Sequence, residues 1–279
     1  MAFGEELKRE FDVLCRGITG KVKEETLFTQ LVNAFNKLNC TYQVEIIHGN
    51  RWCVDFSASA TKAFYWRTGT RTRCELGDLL FIVTNGREVR LAIMQNKYDK
   101  TMSDYNSSFK VQMNQLYLLK ERPEFMYKTN KYNVLKDAKL PSIGSFGTFR
   151  NDGNNYEMGY YCAECLKDPS NCSSPKSQRK IELKSSVNED VIIGAKEQKN
   201  YCKTIADFGN ALMNMKIGEP YSTENAMAIL NNMNIIESLK RWDIPINYTF
   251  DIQRESIMAR KIIILKSYNQ DSQIEQRLL

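Results

Sequence analysis

The sequence predicts an α/β or α+β fold built on one central mixed β-sheet flanked by helices. The expected core is αβββαβ over residues 20–130, with a C-terminal helix-and-strand extension. Three observations lead there. A helical apolar pattern precedes the first strand-like runs. Two highly apolar runs, DLLFIVT (78–84) and EVRLAIMQ (88–95), are joined by a short glycine-bearing turn. A second amphipathic segment follows them and stops at a proline.

Taken in order, Leu7, Phe11, Leu14 and Ile18 recur at helical spacing, so residues 5–18 read as a helix. A second helical face is Leu27, Leu31, Phe35 and Leu38, with Glu24 one turn before it. TYQVEIIH (41–48) alternates as a strand does, and RWCVDFSAS (51–59) follows a Gly-Asn turn, so the pair reads as a hairpin. Residues 62–74, KAFYWRTGTRTRC, are basic, and Tyr65 and Trp66 read as core. In the next hairpin Asn85-Gly86 is the pair favoured in a tight type I′ turn. Its strands are apolar on both faces, which places them centrally in a sheet.

Residues 101–109 are polar and turn-like. FKVQMNQLYLLKERPEFMY (109–127) reads as a helix stopped before Pro123, then a short strand near Phe125. Residues 140–190 are the least periodic part and read as an insertion or long loop system with a few short strands. Ile205, Phe208, Leu212 and Met215 mark a helix ended by Gly218 and Pro220. Ser222 or Thr223 caps the next, whose face is Ala226, Ile229, Leu230, Met233 and Ile236, and IMARKIIILK (257–266) is a last strand. A core of residues 1–135 with an insertion and extension over 136–279 follows, or one continuous domain.

Composition narrows the chemistry. No apolar run approaches the roughly 20 residues that span a bilayer. The charged N-terminus, MAFGEELKRE, lacks the apolar region of a secretory signal, so a cytoplasmic protein is expected. Net charge is +6, compatible with a polyanionic partner. The single histidine, His48, excludes catalytic sites that need two or three. The 8 cysteines are expected to be reduced in that compartment. Cys162 and Cys165 form a C-x-x-C with Cys172 nearby, a zinc-like or redox-like spacing without an obvious fourth ligand for Zn2+.

The apolar hairpin carries the chemistry. Pairing about Asn85-Gly86 brings Asp78 almost opposite Gln95, and Lys97 shares Gln95's face because strands repeat every two residues. A carboxylate, an amide oxygen and an ammonium then converge at the hairpin's open end. That set suits a Mg2+- or Mn2+-dependent phosphodiesterase: hard oxygens hold the ion, and the ammonium stabilises the charge that grows on phosphate. One Asp is a thin metal site, so Glu75, or Glu24 or Glu25 on the preceding helix, is a candidate second acid.

An Asp at the start of one core strand, a tight turn, and (Glu/Gln)-x-Lys on the next strand resembles the PD-(D/E)XK, or restriction-endonuclease-like, nuclease superfamily. The similarity covers residues 20–130. It implies that Asp78 and Gln95 bind Mg2+, that Lys97 assists hydrolysis, and that a helical acid such as Glu24 completes the site. Here Gln95 stands where Glu is usual, and Gly77-Asp78 replaces Pro-Asp. Gln112, Gln115 and Tyr117 loosely resemble residues that follow the Lys in RecB-like nucleases. The resemblance implies a DNA-cutting endonuclease of prokaryotic restriction, repair or phage defence, acting as a homodimer or with a defence-system partner. Loss of charge at Gln95 equally fits a degenerate nuclease fold that binds nucleic acid or serves as an assembly subunit. Arg67, Arg71, Arg73 and Lys100 are candidate phosphate contacts. Lys176, Arg179, Lys180 and Lys184 read as an exposed loop.

Overall fold

The most apolar stretch of the chain becomes the middle of the main sheet. In this computed structural model the described residues are 2–18, 20–38, 41–46, 53–59, 61, 64, 66, 69–127, 129–151, 153, 155–169, 172, 174–232 and 261–267. The strands are β1 (Thr41–Ile46), β2 (Cys53–Ala58), β3 (Thr70–Glu75), β4 (Leu79–Thr84), β5 (Glu88–Tyr98), β6 (Phe109–Gln112), β7 (Phe125–Tyr127), β8 (Asn130–Tyr132), β9 (Gly144–Asn151), β10 (Tyr156–Cys162), β11 (Gln178–Ile181), β12 (Asp190–Ile193), β13 (Lys196–Lys199), β14 (Tyr201–Cys202), β15 (Glu219–Ser222) and β16 (Lys261–Lys266). The helices are α1 (Phe3–Arg16), α2 (Glu24–Asn36), α3 (Met113–Glu121), α4 (Ile205–Met213) and α5 (Thr223–Asn232).

An eight-stranded mixed sheet runs β1-β16-β4-β5-β9-β10-β14, and β15 pairs with the first part of β5. β4 lies parallel to β16 and antiparallel to β5, and β5 lies parallel to β9. The protein is thus mixed α/β, and its sheet draws strands from both sides of residue 135. All six residues of β4 are buried, as a strand covered on both faces requires. On one face Leu79, Phe81, Val83 and Met94 pack against Leu31 and Phe35 of α2, Phe11 of α1 and Phe208 of α4. On the other, Leu80, Ile82 and Ile93 pack against Leu116 and Leu119 of α3, and against Phe56 and Phe125 of a smaller sheet ordered β3-β2-β7-β8. Each such side chain stabilises the fold by roughly 2 kcal/mol on burial.

Four expectations are corrected. Residues 41–59 do not pair as a hairpin among the described residues: β1 joins β16 in the main sheet, and β2 joins β3 and β7 in the smaller one. Alternation marks a strand and leaves its partner open. Residues 109–112 are strand β6, paired with β11, so α3 starts only at Met113. Residues 144–162 are no loop but an antiparallel pair inside the main sheet. Their glycines mark close packing: a Cβ on Gly147 would lie 3.0 Å from Asn96 Oδ1, and one on Gly159 would lie 2.5 Å from the Tyr161 hydroxyl oxygen. The β4–β5 turn centres on Gly86-Arg87, one residue later than expected, since Asn85 N donates to Glu88 O at 3.2 Å. Gly86 alone takes a positive φ there, +86°, as the first central residue of a type II′ turn does. Asn85 Oδ1 accepts from Arg87 N and Glu88 N at 3.0 and 2.9 Å, which secures the shifted turn.

Met233, Ile236 and residues 257–260 lie outside the described residues, as do His48 and Tyr65. Trp66 is core: it packs with Phe64 and Tyr117 at ring-centroid distances of 5.1 and 4.9 Å. Ser222 caps α5, its Oγ accepting from Asn225 N at 3.3 Å.

Candidate functional site

Register decides what meets at the open end of the β4–β5 hairpin. Leu79 pairs with Met94, and Asp78 N donates to Met94 O at 2.9 Å, so Asp78 falls opposite Gln95. Gly77 permits the tight entry, because a Cβ there would lie 2.5 Å from Ile93 Cγ2. Asp78 is 5 % exposed and Gln95 1 %. Asp78 Oδ2 accepts from Asn96 N at 2.7 Å, extending the ladder by one side-chain rung. Gln95 Nε2 donates to Glu75 O at 3.3 Å.

The helix brings the next group. Glu24 opens α2, and its Oε2 accepts from Tyr98 N at 3.1 Å. Its Oε1 lies 4.0 Å from Lys97 Nζ, whose side chain is 15 % exposed. Asp78, Gln95, Lys97 and Glu24 therefore gather around the end of β5. Glu75 meets Gln95 through its backbone carbonyl, and Glu25 is exposed on α2. Among the described residues no three His, Cys, Asp or Glu side chains cluster as a metal cage. The donor set of carboxylate and amide oxygens fits an ion that keeps most of its waters, as Mg2+ does.

The proposed phosphate contacts stand elsewhere. Arg71 and Arg73 leave the exposed face of β3 in the smaller sheet, where Arg71 Nε lies 3.9 Å from Asp55 Oδ1. Lys100 is exposed in the turn after β5, and Arg67 lies outside the described residues. Lys180, expected in a loop, lies on β11, 3.9 Å from Asp99 and 3.2 Å from Thr101 Oγ1. Burial raises the Asp99 carboxyl, but Thr101's hydrogen bonds and the charges of Lys180 and Lys110 hold it below the usual range.

The cysteine motif divides in two. Burial pushes the Cys162 thiol well up, while a hydrogen bond from Cys162 holds the Cys165 thiol below its ordinary value. Cys172 Sγ is turned to Ser174 O and Ser177 Oγ, at 3.6 and 3.5 Å.

Two buried polar residues escaped the sequence. Asn96 is 1 % exposed, and neither side-chain atom has a hydrogen-bond partner among the described residues. A polar residue in an otherwise apolar strand face was the available signal. Arg150 was hidden because its strand read as loop. Among the described residues no helix is long and apolar enough to cross a membrane. No protein-family model, curated protein or solved structure matches this chain.

Proposed function

We propose that the protein is a metal-dependent nuclease with a restriction-endonuclease-like core, hydrolysing phosphodiester bonds of DNA. One observation carries this: Asp78, Gln95 and Lys97 meet at the open end of a buried hairpin, and an independent helix delivers Glu24 to within 4.0 Å of Lys97. Asp78 and Glu24 are the acids that would hold Mg2+ or Mn2+, with Gln95 supplying an amide oxygen. The ion, when bound, lowers the pKa of a coordinated water and offsets charge on phosphate. Lys97 donates to the phosphate oxygens as negative charge grows on them, and Glu24 keeps the ammonium charged and oriented. The packing of Gln95 and Asp78 fixes their positions before substrate arrives.

A second function has its own support. Asp78 already gives one oxygen to Asn96 N, and Gln95 is uncharged and bonded to Glu75 O. Those bonds suit a degenerate nuclease fold that binds nucleic acid without cutting it. Mn2+ separates the two. In the nuclease, millimolar Mn2+ raises the melting temperature of wild type, and the rise vanishes in Asp78→Ala. An identical rise in both proteins, or none in either, contradicts the metal site.

A further inference from the structure

Among the described residues only two arginines are buried, and their surroundings differ. Arg90 is 4 % exposed, and Nε lies 3.1 Å from Glu88 Oε1 while Nη1 donates to Glu197 O at 3.1 Å and Gly218 O at 3.5 Å. Arg150 is 8 % exposed, and its Nη2 donates to Lys203 O at 2.8 Å. Its Nη1 has no partner among the described residues, and no described carboxylate lies within 4.0 Å of the guanidinium. The acid directly across the ladder, Glu157, is engaged elsewhere: Oε1 accepts from Ile205 N at 2.7 Å and Met158 N at 3.0 Å, and Oε2 lies 3.8 Å from Lys8. A buried guanidinium without a counter-charge costs several kcal/mol, so a protein that keeps one has a use for it.

Register says where that use lies. Lys97 pairs with Thr148 across β5 and β9, and Arg150 is two residues further along β9, on the same face. Gly159 on β10 carries no side chain, which lets the guanidinium cross that strand to Lys203 O. Lys203 is the outer cation of the pair. Its side chain is 43 % exposed, 4.0 Å from Glu189, and its Nζ sits 4.9 Å over the Tyr105 ring. Tyr105 in turn stacks on Tyr201 at 5.9 Å between ring centroids. Two strand spacings of about 4.8 Å separate β5 from β10, so the cations of Arg150 and Lys203 lie roughly 10 Å along the sheet from Lys97.

We infer that Arg150, with Lys203, anchors a phosphate of a nucleic-acid strand a few nucleotides away from the one that Lys97 serves. The anion site stands on the unpartnered guanidinium; its part in hydrolysis rests on the nuclease function proposed above. An oxyanion supplies the missing counter-charge and accepts the free Nη1 hydrogens, and Tyr105 offers a ring beside it for base stacking.

The test pairs Arg150→Met with Arg90→Met in phosphate-free buffer, then adds inorganic phosphate, then a 12-nucleotide single-stranded DNA in the Lys97→Ala background so that nothing is cut. Arg150→Met is expected to melt at or above wild type, whereas Arg90→Met melts lower. Phosphate stabilises wild type and leaves Arg150→Met unmoved. Oligonucleotide binding weakens about ten- to a hundredfold, and the slope of log K against log salt falls by about 0.7. Arg150→Lys, which keeps the charge, retains part of the phosphate response. Arg150→Met melting as low as Arg90→Met while binding the oligonucleotide like wild type overturns the inference. Stabilisation by phosphate without oligonucleotide binding overturns its assignment to a strand. Arg150-dependent binding by a wild type that never cuts DNA sustains the anion site and removes the nuclease instead.

Discussion

The two ends of the β4–β5 hairpin handle buried polarity in opposite ways. At the turn end every strong group is paired: Asn85 secures the turn, Arg90 is held by Glu88 and two carbonyls, and Lys196 closes on Glu88 from outside. At the open end Asp78, Gln95 and Asn96 are as deeply buried. Yet the Asn96 amide has no partner among the described residues, and Arg150 beyond it keeps a free N–H. Buried hydrogen bonds add stability when complete and cost it when left unmade. The turn end is built for stability, and the open end retains polar groups that stability alone does not justify.

That contrast can be broken. The largest expected effect on stability is at the turn end. Arg90→Met strands a carboxylate and two backbone carbonyls and is expected to cost about 3 kcal/mol in chemical denaturation. A loss below about 1 kcal/mol would erase the distinction between the ends. Next comes Gly147→Ala. Its Cβ would sit 3.0 Å from Asn96 Oδ1 and from Met94 Sδ, so overpacking of about 2 kcal/mol is expected. The same change should blunt any DNA cutting, because Asn96 N positions Asp78. Unchanged stability would mean that the strand pair beneath the site is looser than its register implies.

The smallest effect is in pH. For Glu88 burial raises the carboxyl, but hydrogen bonds and charge from Lys196 and Arg90 bring it below the ordinary value. Its contribution is therefore present above the unfolded pKa and is lost as pH falls through the folded one. Glu157 runs the other way: burial raises it, despite hydrogen bonds from Ile205 N and Met158 N. Its share is fully present below the unfolded pKa and is lost as pH rises through the raised folded value. Melting temperature followed from pH 7 to pH 4 should fall less steeply in Glu88→Gln than in wild type, and more steeply in Glu157→Gln. Parallel curves for all three would remove both assignments.

Much of the central hairpin was legible because it is local. Period-two alternation, a glycine turn and counting from it place Asp78 near Gln95 without any distant contact, and a one-residue shift of the turn moves them from almost opposite to opposite. The approach of α2 to the end of β5 could only be expected, since it joins residues 74 positions apart. β9 and β10 were illegible for a physical reason. Gly147 and Gly159 serve close packing inside a sheet, and in sequence such glycines look like loop. With that strand pair went Arg150. The pairing of β1 with β16 was equally hidden, because an alternating strand does not name its partner.

The most direct test is cleavage of supercoiled, linear and single-stranded DNA with Mg2+ or Mn2+, wild type beside Lys97→Ala. Wild type should cut, and Lys97→Ala should cut about 100- to 1000-fold more slowly while melting close to wild type. Equal cutting by both proteins, or no cutting by wild type, would contradict a nuclease centred on Asp78, Gln95 and Lys97.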